Sequence, residues 1–243
     1  MEERAYPRMY RVEKEHWWFA ARLGIFLHYL DRRVHATPQT RVLDVGCGTG
    51  AVLEEFSRRY QAFGIDPSEQ AIEFCRQRGL TNVWAGLLND FQHDKPYDLI
   101  TMFDVVEHVP DDIGLLKEAR RRLVPGGQLM IAVPAYMWLW SHHDVGLHHQ
   151  RRYSRGTLAP VVTGAGFTIE HLTYFNTLLL PAAVGRRIVQ QITGGETMDD
   201  LELPSPGVNK VLRTIFELET PVLPSYSLPF GLSLLCLARN PGP

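Results

Sequence analysis

A chain of 243 residues with a formal net charge of −2 is long enough for one large α/β domain, although its length alone also allows two smaller ones. The near-neutral charge excludes a global basic surface, so we expect no nucleic-acid partner. Three scattered cysteines without a C-x-x-C spacing argue against a disulfide framework or a thiolate zinc site, and with no signal-peptide pattern they predict a cytoplasmic protein.

Residues 9–33 follow a helical pattern that puts Trp18, Arg22 and Tyr29 on one face. The pattern predicts a helical cap ahead of the core. The apolar residues 17–19 (WWF) either pack this helix on the sheet or form a lid over a ligand, and both readings stay open. A buried arginine beside two tryptophans needs an anionic partner, which favours the lid.

From Arg41 onward the chain alternates short apolar runs with amphipathic helical segments, a pattern typical of βαβ units around a parallel sheet. Pro67 starts the helix after the second strand, and Asp111 or Asp112 caps the helix after the fourth. We therefore predict an α/β fold with a doubly wound, Rossmann-like sheet. The predicted strands are RVLDV, QAFGID, NVWAG, YDLITMFDVV, QLMIAVPA, FTIEHLTYF and FGLSLLCLAR.

A glycine-rich turn follows the first strand in the stretch VLDVGCGTG, with glycines at 46, 48 and 50. Glycines let backbone N–H groups approach a ligand closely, and Asp66 comes twenty residues after Gly46, where a carboxylate can hold two ribose hydroxyls. The third glycine comes one residue early for a dinucleotide fingerprint, and Asp44 would repel a pyrophosphate. These features favour a cationic nucleoside ligand over NAD.

The chain from Arg41 to about Ala135 resembles the class I S-adenosylmethionine-dependent methyltransferases, through LDVGCGTG, GIDPSEQAIEFC, YDLITMFDVVEHVPDD and RLVPGGQLMIAVP. The segment EHWWFAAR and the later DVGLHHQRRYSR are similar to a bacterial subgroup of that family. The resemblance implies a seven-stranded sheet with the last strand antiparallel, S-adenosyl-L-methionine as cofactor and S-adenosyl-L-homocysteine as product.

The resemblance also implies roles for individual residues at the cofactor. Asp44, Gly46 and Gly48 would line its methionine end with Cys47 among them, and Asp66 would hold the ribose. Pro67 and Leu88 would flank the adenine, while Phe103, Asp104 and His108 would close that wall. Trp18 would belong to the lid, and Arg22 would pair with the methionine carboxylate.

The stretch Asp104-Val-Val-Glu107-His108 resembles the E-x-x-E-H motif of ubiquinone-pathway O-methyltransferases, for which divalent metal binding is known. The Glu-His pair also occurs in metal-free relatives, where it orders the loop after the fourth strand. Two carboxylates and one histidine leave a first coordination shell incomplete. We therefore predict that no metal is bound.

Four of the ten histidines lie in SHHDVGLHHQRRYS, residues 141–154, directly after the fifth strand. Ligands bind at that edge of an open α/β sheet, so this histidine loop is a candidate acceptor site. Zinc-helix spacing is absent, whereas a histidine can remove the proton from a hydroxyl nucleophile. Scaffolding of the loop is the other reading. The candidate catalytic residues are His143 with Asp144 beside it, and His148 and His149 ahead of Arg151 and Arg152.

We divide the single domain into a helical cap (1–36), a cofactor-binding core (37–176), a substrate-side insertion (177–229) and the last strand (230–240). The predicted function is methyl transfer to a hydroxyl, less readily an amine, of a small molecule or saccharide. The alternatives are a non-catalytic S-adenosylmethionine-binding regulatory protein and a nicotinamide-dependent oxidoreductase. Residues 177–229 are also candidates for peripheral membrane contact or a homodimer face.

Overall fold

A computed structural model of the chain describes residues 5–91, 95–193 and 201–242, and of residues 142–143 and 187–193 it describes the backbone alone. The strands are β1 (Arg41–Val45), β2 (Gln61–Asp66), β3 (Val83–Ala85), β4 (Tyr97–Phe103), β5 (Leu123–Pro134), β6 (Thr168–Phe175) and β7 (Ser233–Arg239). The helices are α1 (Ala5–Val12), α2 (Trp17–Arg33), α3 (Ala51–Ser57), α4 (Glu69–Gln77), α5 (Asp112–Arg121), α6 (His142–Gly146), α7 (Arg155–Gly164), α8 (Leu180–Thr193) and α9 (Pro206–Glu217).

The seven strands form one sheet in the order β3-β2-β1-β4-β5-β7-β6. Strands β1 to β5 pair in parallel, whereas β7 runs antiparallel between β5 and β6. This arrangement confirms the predicted α/β class, the strand number and the direction of the last strand. Because the order reverses at β1 and β4, their carboxyl ends flank the crevice in which such sheets bind ligands.

Both faces of the sheet are covered by apolar clusters, as its nearly continuous hydrophobic strands require. One cluster packs α5 and α7 against β4 to β7, and the other packs α2, α3, α4 and α9 on the opposite face. Among the described residues, none of the helices combines the length and the apolar character that crossing a membrane requires.

The amino-terminal segment departs from the prediction of one helix over residues 9–33. It forms two helices, and the turn between them contains the buried side chains of Glu13 and His16. The His16 ring accepts a hydrogen bond from the N–H of Trp18, which caps the start of α2. Helical periodicity continues across this turn, so the pattern alone does not reveal it.

The insertion predicted at residues 177–229 contains α8 and α9. Helix α9 packs along α2, where the Asn209 side chain accepts from the Trp17 N–H at 2.8 Å and donates to the Glu15 carbonyl at 2.9 Å. Val208, Val211 and Leu218 of the same region are exposed. The proposed domain boundaries, and membrane or dimer contact through this segment, stay predictions.

Candidate functional site

The glycine loop between β1 and α3 has a backbone that favours glycine at three positions. Gly46, Gly48 and Gly50 have φ of 72°, 54° and 87°, in the left-handed region. A Cβ on Gly46 would lie 2.4 Å from Cγ2 of Val105, and one on Gly50 would lie 2.8 Å from Sγ of Cys75. The loop therefore presents backbone to the crevice at the carboxyl ends of β1 and β4.

Two buried carboxylates frame this loop. Asp44 accepts a hydrogen bond from the Thr101 hydroxyl at 2.6 Å, and burial raises its pKa to about 7 although that hydrogen bond opposes the shift. Asp66 accepts from the N–H groups of Gly48 and Ser68, each at 2.9 Å. Burial raises the pKa of Asp66 as well, against the two backbone hydrogen bonds. These bonds fix the Asp66 carboxylate between the glycine loop and the start of α4.

Cys47, Pro67 and Leu88 occupy different surroundings from one another. The Cys47 side chain is buried, with its Sγ 4.0 Å from Sγ of Cys75 on α4, so only its backbone faces the loop. Pro67 is exposed directly after Asp66. Leu88 is 3% exposed in the core while Leu87 is 59% exposed. The contact of Leu88 with adenine stays a prediction.

Helix α1 lies over the glycine loop, which the sequence did not reveal. The methyl carbon of Met9 is 3.1 Å from the place where a Cβ on Gly48 would stand. Glu13, 7% exposed, accepts from the Thr49 hydroxyl at 2.5 Å and pairs with the guanidinium of Arg78. A glutamate at the end of a helical pattern is expected to be exposed to solvent, so the local sequence did not predict this contact.

Arg22 of α2 reaches the loop after β4. Its Nη1 donates to Oδ2 of Asp104 at 2.5 Å, and its guanidinium carbon lies 3.9 Å from the centre of the Trp18 ring. The side chain is 7% exposed, and Nε and Nη2 have no hydrogen-bond partner within the described residues. The sequence predicted a ligand carboxylate as the partner of Arg22. In the structure Asp104 accepts from Nη1, and Nε and Nη2 are left to donate to a ligand.

Asp104 itself has φ of 56°, an uncommon conformation for a residue other than glycine. Its N–H donates to the Ala132 carbonyl of β5 at 2.9 Å, which fixes this turn to the sheet. The adjacent Phe103 stacks on Phe26 of α2 with ring centres 4.1 Å apart. The structure thus brings the predicted residues Trp18, Arg22, Phe103 and Asp104 together at the end of β4.

Asp144 is the anchor of the histidine loop. It is fully buried and accepts from the Ser141 N–H at 2.8 Å, from Nδ1 of His149 at 2.9 Å and from Nε of Arg152 at 2.6 Å. Burial favours a higher pKa, but His149 and Arg152 hold the pKa of Asp144 well below its usual range. Asp144 is therefore a charged scaffold residue, and the expectation that it assists His143 as a base is not favoured.

The three histidines predicted as bases differ in accessibility. The His149 side chain is 5% exposed and bound to Asp144, and its role as a base stays a prediction. His148 is exposed, with φ of 57°. The side chain of His143 lies outside the described residues. Of the described candidates, His148 alone is open to a ligand.

Glu107, His108 and His149 form a cluster whose candidate ligand atoms lie within 4.8 Å of one another, so the three could hold a metal ion. Glu107 is fully buried, and neither carboxylate oxygen has a hydrogen-bond partner within the described residues. Burial and then the charge of Asp104 raise its pKa well above the usual range. Burial and the neighbouring His149 lower the pKa of His108 to about 4. The expectation that no metal is bound stays a prediction, because these three residues have the types and spacing that could hold an ion.

The sheet order, the glycine loop after β1 and the acidic residue at the end of β2 define a class I methyltransferase fold. The family model described as a methyltransferase domain matches residues 19–172, more than half of the chain. The chain therefore belongs to this methyltransferase domain family. The predicted methyltransferase family is confirmed; the narrower subgroup with the EHWWF segment stays a prediction.

The chain is similar to several characterised proteins. A ubiquinone biosynthesis O-methyltransferase of Marinobacter nauticus is 31% identical over 116 residues, which are 44% of this chain and 48% of the relative. The chain thus spans about half the length of the curated relatives it matches.

Two solved structures share the fold at low identity. The cyclase SpnF has a TM-score of 0.60 and 20% identity, covering 93% of this chain and 83% of its own. Phosphoethanolamine N-methyltransferase 2 of Haemonchus contortus, in complex with S-adenosyl-L-methionine, has a TM-score of 0.57 and 15% identity. The match covers 89% of this chain and 52% of that one. Likeness at this level concerns the fold alone.

Proposed function

We propose that the chain transfers the sulfonium methyl group of S-adenosylmethionine to a hydroxyl of a small-molecule acceptor. One observation carries the proposal: the Asp66 carboxylate is fixed by the N–H groups of Gly48 and Ser68 at the mouth of the glycine loop. A carboxylate in that position can accept hydrogen bonds from both ribose hydroxyls. The adenosine would then lie along the ends of β1 and β2.

The methionine end of the cofactor would extend from the glycine loop towards β4. Arg22 supports this placement, because two of its buried nitrogens are without partners within the described residues and can receive a carboxylate. A ligand carrying a sulfonium and an ammonium would favour the ionised form of Asp44 beneath the loop, whose pKa burial raises to about 7. Asp104, paired with Arg22, would bind the ammonium.

Methyl transfer is an in-line displacement: the acceptor oxygen forms a bond to the methyl carbon as the carbon–sulfur bond breaks. The electron pair stays on sulfur, giving S-adenosylhomocysteine, and the hydroxyl proton leaves for a base. The protein mainly aligns oxygen, carbon and sulfur. We assign the base to His148, with His143 as the second candidate, because a neutral imidazole can accept the proton of a hydroxyl. The similarity to an O-methyltransferase of Marinobacter nauticus supports a hydroxyl acceptor.

A non-catalytic or differently catalytic cofactor-binding protein is the second candidate, because the fold also occurs in the cyclase SpnF. Nicotinamide chemistry is disfavoured, since Asp44 lies buried beneath the loop where a pyrophosphate would bind. We place the protein in the cytoplasm, with a small molecule or saccharide as acceptor and no nucleic-acid partner.

Calorimetry tests the cofactor and a methyl-transfer assay tests the reaction. We expect S-adenosylmethionine to bind and NAD not to bind, with Asp66→Ala weakening the cofactor by tenfold or more and the exposed Asp31→Ala leaving it unchanged. With an acceptor panel, His148→Ala should lower turnover while cofactor affinity stays the same. Tight binding of NAD instead would overturn the proposal, and cofactor binding without turnover on any hydroxyl acceptor would support the second candidate.

A further inference from the structure

A second cleft lies at the edge of the sheet opposite the glycine loop. It has a volume of about 610 Å³ and is formed where α5 and α7 end, where β5 begins and where β7 ends. The carboxyl ends of β1 and β4 lie at the other edge, so the length of the strands separates this cleft from the proposed cofactor site. We call it the distal cleft. Its size is typical of sites that bind small organic ligands.

Three cationic side chains of α5 line one side of the distal cleft. Lys117, Arg120 and Arg121 are three and four residues apart, which puts them on one face of the helix. Arg121 pairs with Glu118 at 3.1 Å. Lys117 and Arg120 have no acidic partner in the part of the chain that the structure describes. Two positive charges without a compensating carboxylate therefore line the cleft.

The guanidinium of Arg120 is held in one orientation. Its Nε donates to Oδ1 of Asn240 at 3.1 Å, and its Nη2 donates to the Gly242 carbonyl at 2.6 Å. Asn240 is itself 6% exposed, and its amide nitrogen donates to the carbonyls of Leu123 at 3.2 Å and Val124 at 3.1 Å. Both acceptors of Arg120 are neutral, so they fix the guanidinium without neutralising its charge.

Gly166 lets this guanidinium lie close to the backbone that follows α7. A Cβ on Gly166 would lie 3.1 Å from Nη1 and 3.3 Å from Cζ of Arg120, closer than ordinary van der Waals contact. A larger residue there would press on the guanidinium. Nη1 is the one nitrogen of Arg120 without an acceptor among residues 5–91, 95–193 and 201–242. Its neighbours thus leave an oriented, charged donor for a ligand.

The distal cleft favours a phosphate group joined to an organic group. A phosphate monoester carries nearly two negative charges at neutral pH and so matches Lys117 and Arg120 together, whereas a carboxylate carries one. The cleft is also much larger than a single phosphate group. Leu123, Pro125 and Ala165 give it an apolar wall, on which the organic part of such a ligand can lie.

Cations in the last turn of α5 also offset the helix dipole. That role requires only their charge. It accounts neither for the bonds that orient Arg120 nor for the cleft beside it. A lysine at position 120 would keep the charge and lose the planar guanidinium, so Arg120→Lys separates the two roles.

We propose that the distal cleft binds an organic phosphate. Its phosphoryl oxygens would accept hydrogen bonds from Lys117 and from Nη1 of Arg120, and its organic part would lie against Leu123 and Pro125. The site is additional to the proposed methyl transfer and shares no residue with the glycine loop or the histidine loop. Binding is non-covalent and needs no cofactor.

Isothermal titration calorimetry of the full chain tests the proposal with uridine 5′-monophosphate as the probe. Uridine and inorganic phosphate represent its two parts. We expect the nucleotide to bind most tightly, inorganic phosphate more weakly and uridine not measurably. Lys117→Ala and Arg120→Lys should each raise the Kd of the nucleotide about fivefold or more, because each removes a contact with the phosphate. Lys117 is exposed, so its replacement leaves the fold intact.

Two control variants locate the binding. Lys210→Ala removes the same charge from an exposed position on α9, and Asp66→Ala alters the proposed ribose site; both should leave the Kd of the nucleotide unchanged. Circular dichroism checks the folding of every variant. Four outcomes would overturn the proposal: no binding of the nucleotide to the unaltered chain, an unchanged Kd in Lys117→Ala, uridine or inorganic phosphate binding as tightly as the nucleotide, or weaker nucleotide binding in Asp66→Ala.

Discussion

Gly46 combines a left-handed backbone with a neighbour that leaves no room for a side chain. A Cβ there would meet Val105 at 2.4 Å, and its φ is 72°. We expect Gly46→Ala to lower the free energy of unfolding by about 3 kcal/mol, from about 1 kcal/mol of backbone strain and about 2 kcal/mol of overpacking. Urea denaturation measures the loss. Calorimetry should also show S-adenosylmethionine bound at least tenfold more weakly, because the loop must move.

Gly79 provides the matched control. It has φ of 81°, yet a Cβ there would meet nothing within 4 Å. Gly79→Ala should therefore cost only the backbone strain, about 1 kcal/mol, and leave cofactor affinity unchanged. If both variants lost the same free energy of unfolding, the contact with Val105 would make no contribution to the effect of Gly46→Ala.

For single residues, the sequence predicted which residues lie at the site better than it predicted what each of them does there. The glycines and Asp66 could be read from spacing, because close backbone approach and ribose binding demand those residue types after β1 and β2. The role of Asp144 could not be read, since its three partners come together only after the loop folds.

Helix α1 is held on the glycine loop through Glu13. Glu13 accepts from the Thr49 hydroxyl at 2.5 Å and pairs with Arg78, which is 5% exposed. Removing one partner of a buried pair leaves the other charge poorly compensated, although Glu54 still lies 3.3 Å from Arg78. We expect Glu13→Ala to open α1 locally, raising amide hydrogen exchange over residues 5–12 by tenfold or more.

The control for this variant is Glu15→Ala, which removes an exposed carboxylate two residues away. Its exchange rates over α1 should match those of the unaltered chain, as should those of the central strand β4 in both variants. Unchanged exchange in Glu13→Ala would mean that apolar contacts such as the stacking of Tyr10 on Phe74, at 4.7 Å, are sufficient to hold the helix.

Amphipathic patterns located the helices but not their partners. The periodicity of residues 9–33 was helical, yet it did not reveal that the chain breaks at Glu13–His16 so that α1 can turn onto the glycine loop. The pattern of α9 gave its apolar residues, of which the structure packs Leu212, Ile215 and Phe216 into the cluster with α2 and leaves Val208 and Val211 exposed. Which surface an apolar face covers depends on tertiary contacts that a local pattern does not contain.

The stability of the whole molecule should depend on the protonation of His171. Its Nδ1 lies 2.7 Å from the Tyr29 hydroxyl of α2 and its Nε2 lies 3.0 Å from the Ser227 hydroxyl. Burial, followed by the charges of Arg33 and Arg155, lowers the pKa of His171 from 6.5 to about 4. Folding therefore favours the neutral ring, and protonation favours the unfolded chain.

The contribution of the neutral His171 ring to the free energy of unfolding is complete above pH 6.5 and is lost as the pH falls towards 4. Between pH 7.5 and pH 5 we expect the unaltered chain to lose about 1 kcal/mol more stability than His171→Gln, allowing for solvent screening. Urea denaturation at the two pH values measures the difference. His108 also has a lowered pKa but is present in both proteins. If the unaltered chain and His171→Gln lost the same free energy of unfolding between the two pH values, His171 would be excluded as the cause.

The sheet was the part of the whole molecule most fully predicted, since buried parallel strands give continuous apolar runs separated by helical segments. The number of strands and the antiparallel direction of β7 followed from the family resemblance and were confirmed. The region between β6 and β7 was not predicted beyond two amphipathic stretches, because its contacts are long-range ones with α2 and with the end of β5.

Strands β6 and β7 are neighbours, so residues 177–231 leave the sheet and return to it almost at one point. The Leu232 N–H donates to the Asn176 carbonyl at 3.3 Å, and the Thr177 hydroxyl donates to the Phe230 carbonyl at 2.5 Å. A segment whose ends meet in this way can be lengthened, shortened or exchanged at little entropic cost. Evolution could therefore vary this segment while leaving the sheet unchanged, and the same junction offers protein engineers a natural place to graft a foreign segment.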